Sequence, residues 1–322
     1  MKKTALALLA ALALAGAAPC LAQTYPDHPI KVIVPWPPGQ ATDLAARMVA
    51  EKLVPLLGQP LVVDNRPGAG GVIGCEVAAK QPADGYTLVA GSSGPISISP
   101  NVQKVPYDPI KDFSPISLLA INPFVLVANP SVGANSVKEL IAILKANPGK
   151  YSFASSGSGA TSHLMTVLFN SMAHVDAVHV PYKGSSQSVT DVMSGQVAYT
   201  IETVPSIISY VKSGRLKALA VSSAKRTTSM PELPTIAEAG NLPGYDMVGW
   251  IGIMAPAGLP RPIADRLSKE IHKILLEPEI KQRFLNLGLE PSGIASDEFL
   301  DFIKTQNSRY GQAVKQGNVH LD

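Results

Sequence analysis

Ile30-Lys31-Val32-Ile33-Val34-Pro35-Trp36-Pro37-Pro38-Gly39-Gln40-Ala41-Thr42-Asp43 reads as a β-branched strand, a loop stiffened by prolines, and the start of a helix. Helical spacing then runs from about Thr42 to Leu57, with Asp43 in the first turn. Strand, short loop and helix are the grammar of a parallel sheet covered by helices. The same pattern recurs: residues 61–63, 87–90, 151–154, 177–180, 197–201 and 217–221 read as strands, with helical segments between most of them. An α/β chain of 322 residues built this way exceeds one hydrophobic core and calls for two sheets, each in a domain of about 100 to 200 residues.

Upstream of the first strand, Lys2 and Lys3 precede an apolar stretch over 5–18 that ends in small residues around Cys20, Leu21 and Ala22. This is the pattern of a secretory signal peptide over 1–22, which places the protein in the periplasm. Pro19 before Cys20 argues against a lipoprotein anchor, so cleavage is expected after Ala22. Loss of Cys20 leaves Cys75 alone, and no internal disulfide is expected. With Lys2 and Lys3 gone, 27 basic residues against 24 acidic ones become a nearly neutral mature chain, which excludes nucleic acid as the partner. No internal repeat is visible, and a monomer is expected.

Downstream, the apolar run over 121–127 marks a first crossing between domains, and Trp250 to Met254 a second. The expected division is therefore 23–121 with 251–322 as one domain and 122–250 as the other. Ser136 with Glu139, and Thr235 with Glu238, match the capping box, in which each side chain satisfies the other residue's backbone N–H. Pro256, Pro260 and Pro262 introduce a helix over 263–276, and Ser296 opens a last one to about Val314, so the final quarter reads as mostly helical.

Two loops stand out chemically. The first carries Pro38, Gly39, Gln40, Ala41 and Thr42; the second carries Ser155, Ser156, Gly157, Ser158, Gly159, Ala160 and Thr161. Each joins a strand to a helix start, where N–H groups without intrahelical partners favour an anion. Taken singly, each is also what an ordinary turn requires, with Asp43 serving only as a cap. One such loop per domain points to a shared cleft. Enzymatic patterns are missing. Gly91-Ser92-Ser93-Gly94 and Gly157-Ser158-Gly159 lack the nucleophile-elbow spacing, and the six histidines show no metal-ligand spacing. Gly68-Ala69-Gly70-Gly71-Val72-Ile73-Gly74 departs from a dinucleotide loop and lacks the following acid. Neither metal nor cofactor is expected.

Over essentially its whole mature length the chain resembles the Bug-type receptors of tripartite tricarboxylate transporters. The resemblance rests on the loop from Pro35 to Asp43, Val63-Asp64-Asn65-Arg66-Pro67-Gly68-Ala69-Gly70-Gly71, Asp84-Gly85-Tyr86-Thr87-Leu88 and Tyr107-Asp108-Pro109. It continues through Ser155-Ser156-Gly157, Val180-Pro181-Tyr182-Lys183-Gly184, Gly195-Gln196-Val197 and Ala255-Pro256-Ala257-Gly258. It implies a two-lobed periplasmic-binding-protein fold of type II, joined by two crossover strands. A carboxylate would be held by main-chain N–H groups and hydroxyls of the two loops, without an Arg salt bridge. It further implies that Ser92 and Ser93 from one lobe, and Tyr182, Lys183, Gly184, Glu202 and Thr203 from the other, meet the rest of a small organic acid or amino acid. Membrane components of the transporter would be the partners.

One departure matters: Gln40 stands where relatives carry a second glycine. If that position needs a positive φ, a side chain there costs about 1 kcal/mol; the Gln40 amide is expected to point into the cleft and narrow the ligand range. Two rivals to a binding protein remain, an exported hydrolase using Ser155 or Ser156 with His163, and a subunit presenting ligand to a signalling receptor. Trp36, Phe153 and Tyr182 are the aromatics placed to stack on a ring.

Overall fold

The computed structural model describes residues 25–316; the leader, Cys20 and the cleavage point after Ala22 lie outside them. Among the described residues, eleven strands form two sheets. β1 (Ile30–Val34), β2 (Leu61–Asn65), β3 (Thr87–Ser92), β4 (Phe113–Asn122), β10 (Gly249–Pro256) and β11 (Glu290–Ala295) make the first, in the order β11-β4-β10-β3-β1-β2. β5 (Phe124–Ala128), β6 (Ser152–Ser155), β7 (Val178–Pro181), β8 (Tyr199–Thr203) and β9 (Lys217–Val221) make the second, in the order β7-β6-β8-β5-β9. Each contains three parallel strands beside one that arrives antiparallel from across a crossover: β10 in the first sheet, β5 in the second. The fold is the two-lobed type expected.

β1 shows why these residues make a buried strand. Ile30, Val32 and Val34 pack on one side against the helix Ala41–Leu57, while Ile33 joins the core on the other. Both faces are covered, so the run is apolar rather than alternating. A third cluster fills the outer side of the second lobe around Val125, Val127, Val189 and Ile207. The cluster containing Ile33 is continuous between lobes, through Phe124, Tyr245, Met247, Trp250 and Phe299. The helix Ser296–Gln316 reinforces this junction: Tyr310 Oη donates to the Val248 carbonyl, and Arg309 pairs with Asp246.

Several local expectations change. The strand read over 197–201 lies at Tyr199–Thr203, because Val197 instead joins the cluster on the outer side of the second lobe. β11 interrupts the expected helical quarter; its Pro291 and Gly293 masked a strand that survives at the sheet edge through an irregular register with β4. Thr235 and Glu238 form the full reciprocal box. Ser136 caps its helix, but the Glu139 carboxylate accepts from the Asn135 N–H at 2.8 Å, one residue earlier than the box requires.

Candidate ligand site between the lobes

The first loop is held from beneath. Asp43, 1% exposed, accepts from the Gly39 N–H at 2.9 Å, from Arg47 Nε at 2.9 Å and from Asn65 Nδ2 at 2.8 Å. Asn65 also donates to the Trp36 carbonyl, and Trp36 Nε1 donates to Ser92 Oγ, both at 2.9 Å. Burial pushes the Asp43 carboxyl up, but the donors Arg47, Asn65 and Gly39 outweigh it and hold it below its ordinary value. Its stabilisation is therefore present above the ordinary carboxylate pKa and fades as pH falls through the lowered one. Asp43 is thus more than a helix cap. Asp43→Ala would strand these donors and cost about 2–3 kcal/mol, seen as a drop of several degrees in the thermal midpoint at neutral pH.

Gly39 takes φ +84°, whereas Gln40 sits at φ −77°, ψ 161°, ordinary extended backbone. The anticipated strain at Gln40 is therefore absent, and the left-handed requirement falls on Gly39 alone. Neither the helix Ala41–Leu57 nor the helix Thr161–Ala173 carries a side-chain N-cap. Both helix starts open on one cavity. From the first lobe it is lined by Trp36, Gln40, Ala41, Thr42, Ser92 and Ser93; from the second by Ser156, Thr161, Ser185, Glu202 and Thr203. Asn122, Phe124, Trp250 and Ile251 close it at the crossovers.

The lobes touch around this cavity. Ser93 Oγ and Thr161 Oγ1 lie 2.8 Å apart, and Ser99 Oγ donates to the Gly159 carbonyl at 3.3 Å. A Cβ placed on Gly184 would lie 2.8 Å from Gln40 Nε2 and 2.8 Å from Pro37 Cγ. One placed on Gly70 would lie 2.7 Å from the Ser158 carbonyl. The glycine-rich segment 68–71, set aside as a dinucleotide loop, is thus a surface on which the second lobe rests. Gly157, Ser158, Tyr182 and Lys183 do not line the inner cavity; they share an outer one with Gly68, Gly70 and Gly71, bordered by Trp36 and Ser156. Pro38 and Gly39 shape the first loop without lining either cavity.

Ser155 is fully buried, and its Oγ pairs with His179 Nε2 at 2.7 Å, not with His163. His163 Nδ1 instead accepts the Gly159 N–H at 3.3 Å, and burial, with His179 stacked 4.0 Å away, pushes its pKa down to about 3. Phe153 stacks on His179 behind the loop, so it is no ligand platform. Glu202 is fully buried, accepting from Ser185 Oγ at 2.7 Å, Ser188 Oγ at 3.3 Å and the Thr203 N–H at 3.3 Å. The sequence missed Ser185 and marked Asn122, Phe124, Trp250 and Ile251 only as parts of the two crossings; a serine directly after Gly184 was the one available signal.

A family model described as "Tripartite tricarboxylate transporter family receptor" matches residues 45–319. The chain belongs to this receptor family. BugT of Bordetella pertussis is 40% identical over 313 residues, covering 96% of each chain. An R. palustris protein solved with adipate superposes with a TM-score of 0.89 at 33% identity, over 92% of this chain and 99% of that one. MatC from Rhodopseudomonas palustris, with bound malate, gives 0.85 at 28% identity over 90% and 100%. The family is one of receptors, so the paired Ser155 and His179 belong to the loop's architecture, not to a hydrolase. Among the described residues no helix is long and apolar enough to cross a membrane.

Proposed function

We propose that this receptor captures a small carboxylate in the periplasm, after export by the leader over 1–22, and delivers it as a monomer to the membrane components of a tripartite tricarboxylate-type transporter. One observation carries the reading: two helix starts without side-chain caps, one per lobe, open on a single cavity that, among the described residues, no Lys, Arg or His lines. Main-chain N–H groups and helix dipoles suit an anion there. The adipate and malate bound by structural relatives fit this chemistry. In this reading the domains 23–121 with 251–322, and 122–250, close on the ligand about the crossovers. Ala41, Thr42, Ser156 and Thr161 hold the carboxylate, the glycines of both loops permit the approach, and Ser92, Ser93, Glu202 and Thr203 meet the remainder. Tyr182, Lys183 and Gly184 guard the rim.

Because only the closed form offers both sets of contacts, ligand shifts the equilibrium towards it. A thermal-shift screen of mature protein against organic acids tests this: ligand at about 100 times its dissociation constant should add about 2.7 kcal/mol, several degrees in midpoint. Failure of every carboxylate to raise the midpoint would overturn the reading.

Gln40 is the specificity element of the first loop. It is 7% exposed, lines the cavity, and its Nε2 has no hydrogen-bond partner. With no backbone strain at stake, Gln40→Gly should leave the fold intact and change the relative affinity for competing acids by about tenfold, the scale of one hydrogen bond. Calorimetry showing unchanged selectivity would remove Gln40 from this role.

A further inference from the structure

Among the described residues, the cavity is lined by one ionisable side chain, Glu202. It is fully buried and meets no cation: its relative exposure is 0%, and the groups that touch its carboxyl, Ser185 Oγ, Ser188 Oγ and the Thr203 N–H, are all neutral. A buried carboxylate normally has a positive partner, and several kcal/mol are at stake when it lacks one. Nothing in the protein's own lining supplies that partner.

The starts of the helices Ser185–Ser194 and Val204–Lys212 flank Glu202, and its carboxyl already accepts Ser185 Oγ and the Thr203 N–H there. A second ligand carboxylate on this wall would meet a like charge with no cation to offset it. Asn122, on the same cavity, has a side-chain oxygen without a hydrogen-bond partner. The wall at Glu202 and Asn122 thus offers acceptors, with Trp250 Nε1 an unpaired donor beside them, while the helix starts at Ala41 and Thr161 offer donors. A molecule complementary to both ends is negative at one and a strong hydrogen-bond donor at the other.

We propose that the ligand is a zwitterionic amino acid, its ammonium group paired with the Glu202 carboxylate while its own carboxylate sits against the helix starts at Ala41 and Thr161. The assignment rests on the carboxylate reading and narrows it from organic acids in general to those bearing a protonated amine. Burial pushes the Glu202 carboxyl up to about 7, the behaviour of an acid whose counter-charge is not built into the protein. An ammonium also has three N–H donors to place, and Glu202, Asn122 and the surrounding hydroxyls are acceptors for them.

The test is calorimetry on purified mature protein with matched pairs that differ only by the amine: aspartate and succinate, glutamate and glutarate, alanine or β-alanine and propionate, 4-aminobutyrate and butyrate. At least one amino acid should bind ten times or more tighter than its amine-free match. Glu202→Gln, which keeps the side chain's size, should erase or invert that preference while amine-free acids still bind; this inversion separates pairing from a merely structural role. Amine-free acids binding as tightly in every pair, or a preference that survives Glu202→Gln, would overturn the proposal and leave the carboxylate reading standing. Binding by no member of any pair would overturn the amino-acid proposal, and the carboxylate reading would fall with it only if the wider organic-acid screen also gave no binder.

Discussion

Gly70→Ala is expected to reduce ligand affinity at least about 100-fold, equivalent to roughly 2.7 kcal/mol, while the protein still folds. The new Cβ would lie 2.7 Å from the Ser158 carbonyl and 3.3 Å from the Ala160 nitrogen, both main chain of the opposite lobe. Main chain cannot swing aside as the tip of a long side chain can, so the lobes must stay apart. Gly70 also adopts φ +63°, and alanine in that conformation costs about 1 kcal/mol whether the lobes are open or closed. Gly133→Ala supplies the control: φ is +80°, and nothing lies within 4 Å of the added carbon. It should lose the same stability with no loss of affinity. Calorimetry on both variants, with small-angle scattering to read ligand-driven compaction, decides between wedge and strain; equal affinity losses would refute the wedge.

Glu202→Gln should stabilise the ligand-free protein at pH 8 by up to about 3 kcal/mol. The Glu202 carboxyl is raised from 4.5 to about 7, chiefly by burial, with Ser185, Thr203 and Ser188 acting as opposing donors and no other charged group contributing. For an acid raised on folding, the native state binds more protons than the unfolded chain between these two values. Its contribution is therefore complete below 4.5 and lost as pH rises through about 7, the reverse of Asp43. Glutamine cannot ionise, so the variant should lack that decline. Thermal midpoints from pH 4 to 9 would show the two proteins diverging between about pH 4.5 and 7 and keeping a constant separation above that. Parallel curves across the whole range would mean that the Glu202 carboxyl is not raised on folding.

The two donor loops were readable in the chain because their signals are local. The β-branched run before Pro35 and the short strand read over 151–154 before Ser155, each followed by helical spacing, need no knowledge of the rest of the molecule. What escaped depends on distant partners. β11 is a strand because β4 presents an edge to it, despite Pro291 and Gly293. Ser155 meets His179 across the parallel pair β6 and β7, and not His163, which is nearer in sequence, because His179 lies on the neighbouring strand two residues before Pro181, the register partner of Ser155. Glu202 was visible as a residue, but not as the one ionisable group in the cavity, since that depends on which side chains from both lobes stay out. Gln40 looked strained only while the positive φ was assigned to it; the turn places that demand one residue earlier, at Gly39.

The interleaved strand order also fixes a timetable for synthesis. Every strand of the second sheet lies between Phe124 and Val221, so that lobe is complete in the growing polypeptide while the first still lacks β10 and β11, two of the three strands on its antiparallel side. Translation therefore finishes the later-starting half first, and the amino-terminal half waits, its edge at β3 unpaired, for the closing quarter of the message.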